Sequence, residues 1–234
     1  LSQENNPRED NFNALIQHKI IYPTAFLKEK PFDGKRILEK LNSSPFERER
    51  TLSIGDVTLE LTQFCPYKCE GCFREINEEE YLNIGQLRQL VIELSSMGLT
   101  KLSLSGGEVT ANQKITDKAR QVVIYALENK IKTIRILTTG FNVRRLEEII
   151  DTGIHELQIS IDGNEETHNQ YKQSRDAYQR AIEALKMCST KKIRLTTNTV
   201  ITKRNLHTLS ETIDTLAGYN IDTIRINKII SANS

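Results

Sequence analysis

The chain has no tryptophan, five prolines and only four cysteines in 234 residues. It also lacks an excess of either charge: 32 basic against 31 acidic residues leave a net +1. That balance gives no electrostatic case for binding nucleic acid or an anionic membrane surface. No apolar run approaches the roughly 20 residues that a membrane-spanning helix needs. Internal repeats and low-complexity tracts are missing too. A disulfide framework fits poorly, because three of the four cysteines are clustered and one would stay unpaired. What remains is an ordinary globular composition, 38% hydrophobic and 27% charged, with ample length for one sizeable core.

The cysteines are where the sequence departs from the ordinary. Cys65, Cys69 and Cys72 are spaced C-x3-C-x2-C in Cys65-Pro-Tyr-Lys-Cys69-Glu-Gly-Cys72. Short cysteine-rich loops hold iron–sulfur clusters through their thiolates. Three thiols can serve three irons of a cubane, leaving the fourth open, and an open metal position is where chemistry happens. Structural zinc is the plainer alternative. Zinc wants four ligands, commonly two close pairs, and here Cys188 stands alone far downstream. His155 or His168 would have to be recruited through the fold. Thiols that serve a cluster imply a reducing, cytoplasmic setting.

Residues 1–52 lie outside the repeating pattern and are expected to form a small N-terminal extension. Its short helices would run near Phe12–Ile20 and Lys35–Leu41, punctuated by Pro23, Pro31, Gly34 and Pro45. From residue 53 to 234 strand and helix patterns alternate. Val57, Leu59 and Leu61 alternate as in a strand that runs into the cysteines. Further strands are expected at 101–104, 133–137, 154–161, 192–200 and 221–226. Between them Asn83 and Asn142 are plausible helix caps, and Gly98 and Gly153 plausible stops. The expected inward faces are Ile84, Leu87, Leu90, Val91 and Leu94; Val122, Val123, Ala126 and Leu127; Leu146, Ile149 and Ile150; and Tyr178, Ala181, Ile182 and Leu185. In the last helix, begun by Asn205, they are Leu206, Leu209, Ile213 and Leu216. Crossovers long enough for a helix argue for parallel strands. The expected fold is therefore α/β: an open, parallel, six-stranded (β/α)6 partial TIM barrel, truncated after the sixth strand or completed by another chain or a further C-terminal domain.

In such folds ligands sit beyond the carboxyl ends of the strands, and the unusual polar residues fall there. Ser105-Gly106-Gly107-Glu108 follows the second strand. Two glycines allow a sharp turn and close backbone approach, and Glu108 adds an acceptor; an ordinary turn is the alternative. Thr138-Thr139-Gly140 follows the third strand. Ser160 and Asp162 end the fourth and share one side of it, though Asp-Gly is also a turn dipeptide. Asn198 lies among β-branched residues, where a buried amide needs a partner. His168 reads as a surface residue and Cys188 as a core thiol.

These elements, in this order, resemble the radical S-adenosylmethionine superfamily, over residues 55–228. The strand-one and strand-four elements look most like the branch of anaerobic sulfatase-maturating enzymes and peptide maturases. The resemblance implies that Cys65, Cys69 and Cys72 bind a [4Fe–4S] cluster. The open iron would be chelated by S-adenosylmethionine, and one electron would yield a 5′-deoxyadenosyl radical that abstracts hydrogen from substrate. It also implies cofactor contacts by residue. Gly106, Gly107 and Glu108 would meet the amino group, Ser160 and Asp162 the ribose, and Arg175 the carboxylate, with a further contact from Asn198. The family's aromatic residue before the third cysteine is Gly71 here, so Phe73 or Tyr67 is expected to supply the ring near adenine. The implied partners are an electron donor such as flavodoxin or ferredoxin and a substrate. That substrate would be a peptide or a small molecule such as a sugar or nucleotide. A reading of another class keeps the three cysteines as a metal-binding regulatory module without this cofactor.

Overall fold

The structure, a computed structural model, describes residues 55–69, 71–72 and 82–228. The expected N-terminal extension and Phe73 lie outside the described residues. Six strands form one parallel sheet in sequence order: β1 (Asp56–Glu60), β2 (Lys101–Ser105), β3 (Thr133–Thr138), β4 (Glu156–Ser160), β5 (Arg194–Ile201) and β6 (Thr223–Lys228). β1 and β6 are its edges, so the sheet is open. Helices fill every crossover: α1 (Ile84–Ser96), α2 (Gln113–Glu128), α3 (Val143–Ile150), α4 (Glu165–Lys172), α5 (Ala177–Cys188) and α6 (Leu209–Ala217). The expected open partial barrel is thus the observed architecture.

Strand periodicity makes the two faces differ. Leu59, Leu104, Ile136, Leu157 and Leu195 stand side by side in register, and each is buried. The next row on the opposite face reads Thr58, Ser103, Arg135, Glu156 and Arg194. There Glu156 accepts from Lys101 at 2.7 Å and Arg135 at 2.8 Å. This network ties together the amino ends of β2, β3 and β4, the end away from the cysteines.

Four helices start on asparagine. Asn83, Asn112, Asn142 and Asn164 each accept an N–H of the first turn through the side chain, and Asn83 forms a reciprocal capping box with Gln86. Each such cap contributes about 1 kcal/mol. Three inward assignments differ. Ile84, Leu127 and Leu206 are exposed: the first two stand at helix ends, past the packed stretch, and Leu206 lies on a 3-10 turn (Leu206–Thr208) that precedes α6. α4 was not expected either. Its sequence EETHNQYK carries no apolar stripe, and it is held by its cap and by buried polar side chains instead. Among the described residues no helix is long and apolar enough to cross a membrane.

Candidate active site

The cysteine loop is clamped onto the turn after β2 by backbone alone. Leu61 N–H donates to the Ser105 carbonyl at 3.0 Å, Gly107 N–H to Thr62 at 2.7 Å and Glu108 N–H to Phe64 at 3.0 Å. The approach requires glycine. A Cβ on Gly106 would overlap the Thr62 carbonyl oxygen and one on Gly107 the Phe64 carbonyl oxygen. Gly106 also has φ +132°, a region that disfavours a side chain. The Gly-Gly pair is therefore more than a loose turn: it seats the cysteines.

Within the loop Cys65 and Cys69 are half-buried and Cys72 is exposed, and none is in a disulfide. Burial pushes the Cys65 thiol up to about 11, opposed by the Tyr67 backbone N–H and by Lys172. Burial also raises Cys69, again opposed by Lys172. Cys72 N–H closes a turn onto the Cys69 carbonyl at 3.2 Å. Tyr67 is buried and meets Phe141 edge-on, with ring centroids 5.6 Å apart. Arg180 lies over the other partner of that stack, 4.7 Å from the Phe141 ring centre. These contacts fix the underside of the loop.

Among the described residues no three His, Cys, Asp or Glu side chains converge as a single ion would require. A cubane asks for something else: three thiols, each facing its own iron. Each of the two histidines that zinc would need accepts a backbone N–H at Nδ1. His155 lies before β4, at the other end of the sheet, and its Nδ1 accepts Ile134 N–H. His168 is fully buried, not a surface residue, and its Nδ1 accepts Asp162 N–H at 2.9 Å. The donor set thus fits a [4Fe–4S] cluster better than a closed zinc site.

The candidate contact residues fall into three groups. Glu108 is buried, and its carboxylate accepts five hydrogen bonds. Oε1 takes Thr110 N–H (2.9 Å), Thr110 Oγ1 and Thr138 Oγ1 (both 2.6 Å); Oε2 takes Thr139 N–H (2.7 Å) and Oγ1 (2.6 Å). Glu108 therefore braces the carboxyl ends of β2 and β3 against each other. Asp162 is likewise engaged within the protein: Oδ1 accepts Val200 N–H, and Oδ2 pairs with Lys172 at 2.9 Å.

Ser160 and Asn198 are still half-exposed and stand in register with each other and with Arg225. The row sets a hydroxyl, an amide and a guanidinium side by side, one strand spacing (about 4.8 Å) apart. Asn227 donates to Asn198 Oδ1. Arg175 lies exposed between α4 and α5, and its carbonyl accepts Asn169 Nδ2.

Sequence reasoning missed Lys172 and Asn205. Lys172 is a buried cation whose charge acts on Cys69, while Arg175, the cation that the resemblance implies for the cofactor's carboxylate, is exposed. Burial works against its charge, but Asp162 and Cys69 outweigh burial and raise its pKa. Asn205 stands at the N-cap of the 3-10 turn that leads into α6 but makes no side-chain cap bond; its Nδ2 bridges the Asp162 carbonyl at 2.7 Å and the Val200 carbonyl at 2.8 Å. The available signal for Lys172 was its spacing of four from His168, which places both on one face of a helix.

The chain is 27% identical over 177 residues to PqqA peptide cyclase of Bradyrhizobium diazoefficiens, covering 74% of this chain and 46% of that protein. To sporulation killing factor maturation protein SkfB of Bacillus subtilis it is 22% identical, covering 93% of this chain and 58% of that one. Among solved structures it resembles Streptococcus suis SuiB bound to its precursor peptide SuiA, with TM-score 0.66 and 16% identity over 94% of this chain and 51% of that one. SuiB has also been solved with S-adenosylmethionine bound, at TM-score 0.65. The chain thus spans about half the length of these relatives. The Radical SAM superfamily profile matches residues 59–216, from the strand that delivers the cysteines to the helix before β6; the chain belongs to the Radical SAM superfamily.

Proposed function

We propose that this chain is the catalytic core of a radical S-adenosylmethionine enzyme that modifies a peptide. The observation that carries the reading is the cysteine loop seated on the Gly106-Gly107 turn. This brings three thiols to the carboxyl end of a parallel sheet, where ligands bind. Cys65, Cys69 and Cys72 would hold a [4Fe–4S] cluster. When bound and reduced by a donor such as flavodoxin or ferredoxin, the cluster supplies the electron that splits S-adenosylmethionine into methionine and a hydrogen-abstracting 5′-deoxyadenosyl radical. The protein's part is placement.

The turn at 106–108 offers backbone groups to the cofactor's amino end, with Glu108 holding that turn in place. Ser160 and Asn198 offer a hydroxyl and an amide from one row. Lys172, rather than the exposed Arg175, supplies the cation for the carboxylate, because an ion pair gains most where water is excluded. Phe73 remains the proposed ring near adenine. The peptide substrate is inferred from the relatives, whose names and bound peptide point to peptide maturation.

The test is anaerobic reconstitution followed by iron analysis and dithionite-driven turnover. Brown protein with iron, and 5′-deoxyadenosine released from S-adenosylmethionine, support the reading. Deuterium passing from a labelled peptide into 5′-deoxyadenosine supports the substrate class. Zinc without iron would sink it.

A further inference from the structure

The face of the sheet opposite the buried leucine row carries its charged side chains. Ser160 lies four residues beyond Glu156, and Asn198 four beyond Arg194, so all four point to that face. At the amino end the cations are paired: Lys101, Arg135 and Arg194 reach Glu156 at 2.7, 2.8 and 3.7 Å. At the carboxyl end the cation is Arg225 of β6, in register with Asn198. Arg225 is exposed, and among the described residues its guanidinium makes no hydrogen bond or ion pair. The half-exposed Gln158 amide and Ser160 hydroxyl on the same face make none either.

An arginine without an acid is common on a surface, but this one ends a row. Ser160, Asn198 and Arg225 stand on adjacent strands, about 4.8 Å apart. In the radical S-adenosylmethionine reading, Ser160 and Asn198 lie beside the cofactor, with Ser160 at the ribose whose 5′-carbon becomes the radical. Arg225 is the next residue outward, on the edge strand. The cofactor's own carboxylate is out of its reach. That carboxylate shares a carbon with the amino group, and the amino group meets the turn after β2. β2 and β6 are four strands apart, roughly 19 Å along the sheet, more than an arginine side chain spans. What comes against Arg225 is then the substrate.

We propose that Arg225 is a specificity-determining residue: its guanidinium pairs with a carboxylate of the peptide substrate, that of an aspartate or glutamate close to the position that loses hydrogen. This rests on the peptide-modifying reading above and names its substrate class. A guanidinium presents two parallel N–H groups that match both oxygens of a carboxylate, whereas a side-chain amide offers one oxygen acceptor. The pairing strengthens as the bound peptide covers it and excludes water.

The experiment is anaerobic binding selection from synthetic peptide pools on the reconstituted protein with S-adenosylmethionine present. The pools are octapeptides capped at both ends. One central position is fixed as Glu, Gln or Lys, and the others are randomised among uncharged residues. Bound peptide is counted by mass spectrometry, and iron is measured on every variant. Wild type should retain the Glu pool about tenfold over the Gln pool. Arg225→Gln should lose that preference, Arg225→Lys should keep its sign, and Arg225→Glu should turn it towards the Lys pool. A merely structural role would not reverse the sign.

Wild type that holds the Glu and Gln pools equally overturns the proposal, as does an Arg225→Glu variant that still favours Glu. So does a loss of S-adenosylmethionine affinity in Arg225→Gln, since the guanidinium would then hold the cofactor's carboxylate. Each of these leaves the radical S-adenosylmethionine reading intact. Wild-type protein that takes up no iron would overturn both.

Discussion

Gly107 lies directly beneath Phe64, so close that any side chain on Gly107 would overlap the Phe64 carbonyl oxygen. Phe64 precedes Cys65, so the first of the three proposed cluster ligands is placed by the absence of a Cβ. Gly107→Ala is expected to lift the loop and lose most of the iron taken up on reconstitution while the sheet persists. Gly55→Ala is the control, since nothing lies within 4 Å of a Cβ there. Iron per chain and circular dichroism on the two variants check this. An iron-replete Gly107→Ala protein would refute the clamp.

The cysteines separate by role. Replacing Cys65, Cys69 or Cys72 with Ala should abolish cluster assembly, because each iron then loses its only protein ligand. Cys188 is buried on α5, and burial pushes its thiol up to about 12. It is an inert core thiol. Cys188→Ala should retain full iron and cost about 1 kcal/mol of stability through the small cavity it leaves. Iron quantification on all four variants and urea unfolding of the last measure both effects.

Glu108 predicts a stability effect as well as a binding effect. Glu108→Ala strands the Thr110 and Thr139 N–H groups and three hydroxyls that now bond its carboxylate. Buried donors left without acceptors cost about 1–3 kcal/mol each at most, offset where hydroxyls turn to other partners. A total loss of about 3 kcal/mol in urea unfolding is expected, with weaker S-adenosylmethionine binding as the turn loosens. Thr138→Val removes one donor and should cost about 1 kcal/mol. Full stability with tenfold weaker binding in Glu108→Ala would show instead that Glu108 is a direct ligand.

Much of this was legible in the sequence because periodicity reports on burial. Leu59, Leu104 and Ile136 sit in alternating runs that can only be strands buried on one face, and Asn83 and Asn142 cap where the apolar stripe begins. The cysteine spacing and the Gly-Gly pair were visible as motifs. What was hidden is set by tertiary contact. α4 has no stripe to read, so nothing in the sequence sets Lys172 apart, and the resemblance points to Arg175 as the cation. Only the fold shows that Lys172 is buried against Asp162 and Arg175 is exposed. Glu108 and Asp162 stand out in the sequence as parts of motifs, but the number of protein donors on each carboxylate is a three-dimensional fact. So is the use of Asn205, which bonds residues 43 and five positions away.

His168 carries a pH dependence whose sign follows from its hydrogen bond. It is fully buried, and its Nδ1 accepts Asp162 N–H, so the proton of the neutral ring sits on Nε2. Protonating Nδ1 would set two N–H groups against each other. Burial and the nearby Lys172 lower its pKa from 6.5 to about 4, with Asp162 opposing. Between those values the unfolded chain binds more protons than the folded one, so stability rises with pH across that window. The contribution is fully present above pH 6.5 and is lost as the pH falls, by about 2 kcal/mol at pH 5. Asp162, whose carboxyl is held below its ordinary 3.8 against its burial by Lys172, titrates below this window and does not mimic it. Urea unfolding under anaerobic conditions between pH 8 and pH 5 measures the slope. His168→Gln keeps an acceptor but cannot titrate, so its stability should be lower at pH 8 yet nearly flat over the same range. A wild-type protein equally stable at pH 8 and pH 5 would mean that His168 is not held neutral, and the lock on Asp162 would then have to come from Asn205, Val200 and Lys172.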